Sequence, residues 1–445
     1  MSITIAVTRQ VPVRYEVDVF VAGGGPAGVA AAVAAAEQGA AVFLAEGHSC
    51  LGGMGTAGLV PAFMRFGDGE NFLAGGIGRR VYDALWDRGG TPPGADRERS
   101  AHSSLGIRAE VLKRIYDDMV TNAGVRFLFH TQVIGVESQG ARVVYALCAA
   151  KSGLFAVKAQ VFVDATGDGD LAAWAGAPFE KGDAEGNMMP GTLCSLWAGI
   201  DWDAVRADSR KPQQEVVRAI RDGVIQVEDP HLPGFWRVGT HLGGGNIGHT
   251  FGVDATDERS LTEALLYGRR LLDQYERFYK EYLSGYEAME LAATGSLLGI
   301  RESRRILGDY VLCLKDFETR AVFADEIGRY NYPVDIHMSK PSAGNFEKFW
   351  QEFHTLRYGK GESYGIPYRS LIPRGLENVL VAGRCLSADR FLQGSVRVMP
   401  GCFITGQAAG VAAALAATSG GDTRAVRVGE LQQRLKEMGA YLPNA

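Results

Sequence analysis

The chain has 445 residues, 46% of them hydrophobic, which allows two to three domains and a large buried core. A net charge of −5 argues against a dedicated nucleic-acid surface, which is normally basic. Six scattered cysteines (Cys50, Cys148, Cys194, Cys313, Cys385 and Cys402), with no C-x-x-C pair, argue against a disulfide framework or a zinc site.

The N-terminal stretch Met1 to Tyr15 lacks the basic and apolar regions of a signal peptide. No apolar run approaches the ~20 residues of a membrane span. A soluble, cytoplasmic protein is expected. Glycine is abundant, with 58 residues, about 13% against a usual ~7%. Doublets such as Gly52-Gly53 suggest backbone turning tightly or approaching a ligand.

Val17 to Ala22 reads as a strand, Pro26 to Gly39 as an alanine-rich helix and Ala40 to Ala45 as a second strand. Between the first two lies Gly23-Gly24-Gly25-Pro26-Ala27-Gly28, a G-x-G-x-x-G in the context that a dinucleotide fingerprint requires. Gly23 makes the turn, Gly25 lets backbone approach a pyrophosphate, and the helix N-terminus offers unpaired N–H groups to it. Glu46 follows the second strand, where an acid accepts from a ribose diol and repels a 2′-phosphate.

Arg108 to Ala123 reads as a helix, and Val125 to Phe129 and Val133 to Ser138 as strands. Ala141 to Ala149 and Phe155 to Ala159 suggest a hairpin. Val161 to Val163 reads as a further buried strand leading into Asp164-Ala165-Thr166-Gly167. The middle of the chain is richer in Trp, His, Tyr and Arg and carries one long polar helix, Asp257 to Leu283. A second G-x-G-x-x-G, from Gly243 to Gly248, follows no convincing strand and opens no alanine-rich helix, so it is expected to be a loop beside the active site. Val379 to Ala382 returns to buried-strand character, and Gly401 to Ala417 reads as a second alanine-rich helix. The expected fold is α/β, a Rossmann-type domain with an inserted α+β cap. Residues 1–195 and 361–445 form the nucleotide domain and 196–360 the substrate cap.

As an ordered set, AGGGPAGVAAAVAAAEQGAAVFLAE, LGGMGTAGLV, VDATGDGDLAAWAGA, GIRESRRILGDYVL, GIPYRSLIP, NVLVAGRCLSADR and GSVRVMPGCFITGQAAGVAAA resemble the glutathione-reductase-type FAD fold. Within it, the chain resembles the bacterial FAD-dependent oxidoreductase family, distantly related to fumarate reductase flavoproteins. The resemblance spans residues 17 to 414. It implies FAD contacts at Gly23, Gly25, Pro26, Ala27, Gly28, Glu46, Gly47, Gly52, Gly53, Met54, Val133, Ala165, Thr166, Gly167, Gly383, Arg384, Arg397, Val398 and Met399. Many relatives carry Asp where this chain has Arg384, which leaves the ribityl contacts open.

The resemblance implies an enzyme moving hydride between a small polar organic substrate and flavin N5, with a flavin-dependent monooxygenase as the alternative. No second dinucleotide motif is found, so the electron donor or acceptor is external: O2, a quinone, a partner protein or NAD(P)H. No nucleic-acid partner is expected, and a homo-oligomer is compatible with the sequence. Hydride transfer needs a group for the accompanying proton, and His337 is the first choice because histidine titrates near neutrality. Arg301, Arg304 and Arg305 form a basic stretch between apolar residues, suited to a substrate carboxylate. The competing reading is a helix whose arginines pair with nearby acids. Tyr368 and Arg369 sit where the chain re-enters the nucleotide domain, a favoured place for a pocket. His241 and His249 rank lower. Cys402, at a helix N-terminus, sits where a thiolate is favoured. His48 precedes Gly52-Gly53 and is a candidate for covalent flavin attachment. No sequence spacing points to a metal site.

Overall fold

The computed structural model describes residues 5, 7–232, 234–341 and 355–445. The first apolar run is the end of a longer strand, Val13–Ala22, whose last four residues are fully buried. It lies parallel to Val42–Ala45, which in turn lies parallel to Arg126–Leu128. On its other side is Gly153–Asp164, also parallel.

Gly153–Asp164 is one strand of 12 residues, where the sequence suggested two. It serves two partners in succession. Gly153 to Lys158 pair antiparallel with Arg142–Ala150, forming the expected hairpin. Phe162 to Asp164 pair parallel with Val379–Val381, so the late strand joins the early ones. Gln132–Gln139 completes the seven-stranded sheet beside Arg142–Ala150.

Two helices cross this sheet against one another, Pro26–Glu37 and Met399–Ala417. Both are alanine-rich and apolar all round, the pattern of a core helix. Met399–Ala417 is long and apolar enough to cross a membrane, yet 94% of its apolar window is buried inside the protein. Their contact is set by glycine. A Cβ on Gly406 would lie 2.2 Å from the Ala27 carbonyl oxygen, and one on Gly410 would lie 2.2 Å from that of Ala31. Only hydrogen fits at either place.

The middle of the chain holds a four-stranded antiparallel sheet, in the order Gly234–Arg237, Gly243–Asn246, Ser195–Ala198, Glu290–Thr294. Against it packs the long helix, Glu258–Tyr282, capped by the Asp257 carboxylate. Leu271, Tyr275, Phe278 and Tyr279 of the helix share a core with Trp197 and Met289. Gly243–Asn246, expected as a loop, is therefore a central strand. Its glycines are there for space. A Cβ on Gly243 would lie 2.0 Å from the Phe235 ring, and one on Gly244 would lie 2.2 Å from Pro61. The basic stretch from Arg301 is no helix either. It runs extended into the strand Arg304–Ile306, which pairs with Phe179–Lys181.

The helix contact yields a stability prediction. Gly410→Ala adds a methyl group with no room on either side, and overpacking of this kind costs about 1–3 kcal/mol. Chemical unfolding should show a lower midpoint with an unchanged slope. A variant as stable as the parent would show that the helices can separate freely.

Candidate functional site

The two core helices aim their N-termini into one cavity of about 1010 Å³. That is the upper end of the range for small-molecule sites. Its lining includes Gly23, Gly25, Pro26, Ala27, Glu46, Gly47 and Val133, then Gly53, Met54, Ala165, Thr166, Gly167, Gly383 and Arg384, and also Arg397, Val398, Met399, Arg301, Asp335 and His337.

Local structure explains why these backbones are bare. Gly23 has φ +88°, and a Cβ on Gly28 would lie 1.8 Å from the Gly23 carbonyl oxygen. Gly28 thus closes the turn and does not line the cavity. Gly25 differs, because a Cβ there meets nothing within 4 Å. No protein atom requires a glycine at that point, so the room it leaves belongs to the cavity. The helix behind it begins at Pro26 with no side-chain cap and no acid in its first turn, leaving its end free for an anion. Gly52, expected as a contact, does not line the cavity. Its φ of +103° makes a turn packed against Thr56 and Tyr116.

Glu46 is buried, and each of its oxygens accepts a backbone N–H, from Gly24 at 2.8 Å and from His48 at 2.8 Å. These bonds hold the carboxylate at the mouth of the glycine turn with acceptor capacity left over. Asp164 organises the opposite wall. It accepts from the Thr166 hydroxyl at 2.7 Å and from the backbone of Thr166 and Ala172. Two arginines then clamp the same turn, Arg384 on Asp168 at 2.9 Å and Arg304 on Asp170 at 2.7 Å.

Arg301 is buried and faces the cavity. It donates to the Pro190 carbonyl at 2.9 Å, to the Thr192 hydroxyl at 2.8 Å and to Asn246 at 3.1 Å. Every acceptor is neutral. Among the described residues no carboxylate pairs with it. Burial, and then the nearby Arg397, lower its pKa to about 10, so it stays charged at neutral pH. Arg397 pairs with Asp335 at 3.0 Å, while its Nε is buried with no acceptor.

The far end of the cavity gathers three histidines from distant parts of the chain: His231, His249 and His337. His249 Nδ1 lies 2.7 Å from Asp229, and His337 Nε2 lies 3.4 Å from Asp335. The remaining ring nitrogens, His249 Nε2 and His337 Nδ1, face each other at 3.1 Å. His231 stacks parallel to His337, with ring centres 4.8 Å apart. Burial lowers the pKa of all three. For His337 Arg301 adds to the effect, and His231 falls to about 4. Asp335 is held below the usual carboxylate range, because His337, Arg397 and Arg301 together outweigh its burial.

Of the candidate catalytic residues, the structure brings His337 and Arg301 to the cavity, together with His249, and leaves the others outside its lining. Besides its clamp on Asp170, the Arg304 guanidinium covers the Phe179 ring. Tyr368 is buried and donates to the Thr423 carbonyl at 2.8 Å. Arg369 is an ion-pair partner of Asp325 at 2.9 Å. Arg305 is locked to Glu302 and Glu180. His241 bonds the Ile200 carbonyl in a separate, smaller depression. His48 is at the Glu46 end of the cavity, exposed, with its backbone bound to Glu46.

Cys402 reaches the cavity as a small buried residue, and burial pushes its thiol up to about 12. Asp229, His231 and Asn246 went unnoticed in the sequence. A faint signal exists, since Asp229-Pro230-His231 and Asp335-Ile336-His337 share the pattern Asp-x-His. The carboxylate of the first, however, serves His249.

The Glu46 geometry yields a test. Glu46→Ala strands two N–H groups in a buried turn, at about 1–3 kcal/mol each. The variant should unfold at lower denaturant than the parent, and Glu46→Gln should recover part of the loss. No difference between parent and Glu46→Ala would mean that water replaces the carboxylate.

Comparison with known proteins completes the description. A family model described as FAD dependent oxidoreductase matches residues 18–435. No curated protein matches the chain. Among solved structures, a geranylgeranyl bacteriochlorophyll reductase-like protein from Thermoplasma acidophilum is 12% identical, with 95% of this chain and 82% of that chain covered and a TM-score of 0.43. A triple mutant of the flavin-dependent brominase Bmp2 is 14% identical, with 95% and 84% covered and a TM-score of 0.43. The OxyS anhydrotetracycline hydroxylase from Streptomyces rimosus is 12% identical, with 95% and 65% covered and a TM-score of 0.44. Nothing about this chain's substrate follows from likenesses at that level.

Proposed function

The chain belongs to the FAD-dependent oxidoreductase family, and from that premise we propose that it oxidises or reduces a small organic substrate carrying a carboxylate. FAD is the cofactor of the family, and when bound it supplies a hydride acceptor or donor. The residues that would hold it are the cavity-lining members of the expected set, from Gly23, Gly25 and Glu46 at one end to Arg397, Val398 and Met399 at the other. Three features of the cavity fit such a group: the open space at Gly25, the uncapped helix start behind it and the Arg397 Nε that lacks an acceptor.

The observation that carries the substrate class is Arg301. A buried guanidinium bonded only to neutral acceptors is costly unless an anion completes it. Two of its acceptors, Thr192 and Asn246, fix its plane, so a carboxylate arriving from the cavity meets a pre-oriented donor. Beside Arg301 the histidine group, with His337 at its centre, takes the substrate's oxygen or the proton bound to it. Asp229 and Asp335 hold two of those rings in place. We assign the inserted segment, about residues 196–360, as the cap that selects the substrate. It contributes Asp229, His231, Asn246, His249, Arg301, Asp335 and His337 to the lining.

The test is anaerobic bleaching of the bound flavin by a panel of small hydroxy and amino acids, each beside its neutral amide or ester. Acids should bleach it and their neutral analogues should not. Arg301→Met should lower kcat/KM for the best acid by about a hundredfold or more, as expected for loss of a buried charge-assisted contact, while retaining flavin. Equal bleaching by acid and amide would overturn the carboxylate assignment. Rapid reduction by NAD(P)H with no substrate present, followed by O2 consumption, would favour a monooxygenase instead.

A further inference from the structure

The histidine group poses a problem of proton counting. A neutral imidazole carries one N–H. In His249 that hydrogen belongs on Nδ1, where the Asp229 carboxylate accepts it at 2.7 Å. In His337 the carboxylate of Asp335 faces Nε2. Both inner nitrogens, His249 Nε2 and His337 Nδ1, are then bare lone pairs pointing at each other across 3.1 Å. If His337 instead donates from Nδ1, its Nε2 lone pair is turned on a carboxylate. Either way, two neutral rings leave one repulsive contact in a buried place. A positive charge between the inner nitrogens removes it.

We propose that His231, His249 and His337 form a binding site for one divalent transition-metal ion of the zinc class, with its open coordination position toward the cavity. Three imidazoles suit zinc and its neighbours, and three protein ligands with one open position is the pattern of a reactive site. At Zn–N distances of 2.0–2.1 Å, tetrahedral ligand nitrogens lie about 3.3 Å apart. The inner pair is already at 3.1 Å, and a nitrogen of each of the three rings lies within 4.8 Å of the others. His231, at the cavity wall and less buried than its partners, stacks on His337 and completes the set when its ring reorients on ion binding.

The surroundings fit as well. Asp229 bonds the far nitrogen of His249, which fixes its tautomer and makes the ligand more basic, and Asp335 lies 3.4 Å from the far nitrogen of His337. The fixed charges that act most on these rings are Asp229, Asp335 and Arg301. Two carboxylates against one guanidinium fall short of the charge of a divalent ion, so the ion leaves a net positive charge. The open position therefore goes to an anionic oxygen, from hydroxide or from the substrate. Ion binding itself does not depend on which substrate the cavity takes.

The experiment uses tag-free, flavin-loaded protein, dialysed against a chelator and then titrated with Zn2+ alone by calorimetry. A parallel titration with Co2+ follows the ligand-field bands at wavelengths beyond the flavin. One saturable equivalent is expected, with the intense bands of tetrahedral cobalt. Both signals should vanish in the double variant H249A/H337A, with flavin content and melting temperature checked alongside. Asp229→Asn should weaken the ion about 10–100-fold. Absence of saturable binding by the parent protein overturns the proposal and leaves a shared proton between the two rings. Equal binding by the double variant overturns it too. If that variant does not fold, His231→Ala at the cavity wall decides instead, since it must weaken the ion.

Discussion

Two helices from opposite ends of the chain touch backbone to backbone, and the cavity depends on that contact. Gly406 and Gly410 allow it, meeting Ala27 and Ala31 where no side chain fits. Because the helices lie this close, the turn before Pro26 and the turn before Met399 open on one space. The late strand Val379–Val381 then falls into register beside Phe162 to Asp164, which brings Gly383 and Arg384 to the same wall. Had either glycine been larger, the two helix ends would part and the cavity would lose one side.

On this frame the charges are sorted by purpose. Arg304, Arg305, Arg369 and Arg384 each meet a carboxylate, and each ties one segment to another. Arg301 is treated differently, being bonded to carbonyl, hydroxyl and amide oxygens and, among the described residues, to no carboxylate. The histidines are treated differently again: Asp229 and Asp335 lie against the outer nitrogens of two rings, whose inner nitrogens face each other. A polar group whose outer contacts are complete and whose inner face is bare is set up to receive something.

Features that rest on local spacing were readable in the sequence. The fingerprint from Gly23 to Gly28, Glu46 after the second strand, and the long capped helix all follow from residues within a few turns of each other. Features assembled from distant segments were not. The strand Gly243–Asn246 has no β-branched residue, and only its neighbours Phe235 and Pro61 explain its glycines. His249 and His337 stand 88 residues apart in sequence, so no ligand spacing could announce them. Arg301 and Arg304 look alike in one dimension. Their difference is that Asp170 reaches one and, among the described residues, no carboxylate reaches the other.

The double service of the strand Gly153–Asp164 has a temporal side. Its first half pairs with the segment just before it, but its end waits for Val379–Val381, more than two hundred residues further on. Contacts closed over such distances form late, because a long loop must be ordered before they repay its entropy. During synthesis the glycine turn and Glu46 therefore emerge early and stand for most of that time without their opposite wall. The cavity is complete only once the helix Met399–Ala417 has left the ribosome and settled against Pro26–Glu37.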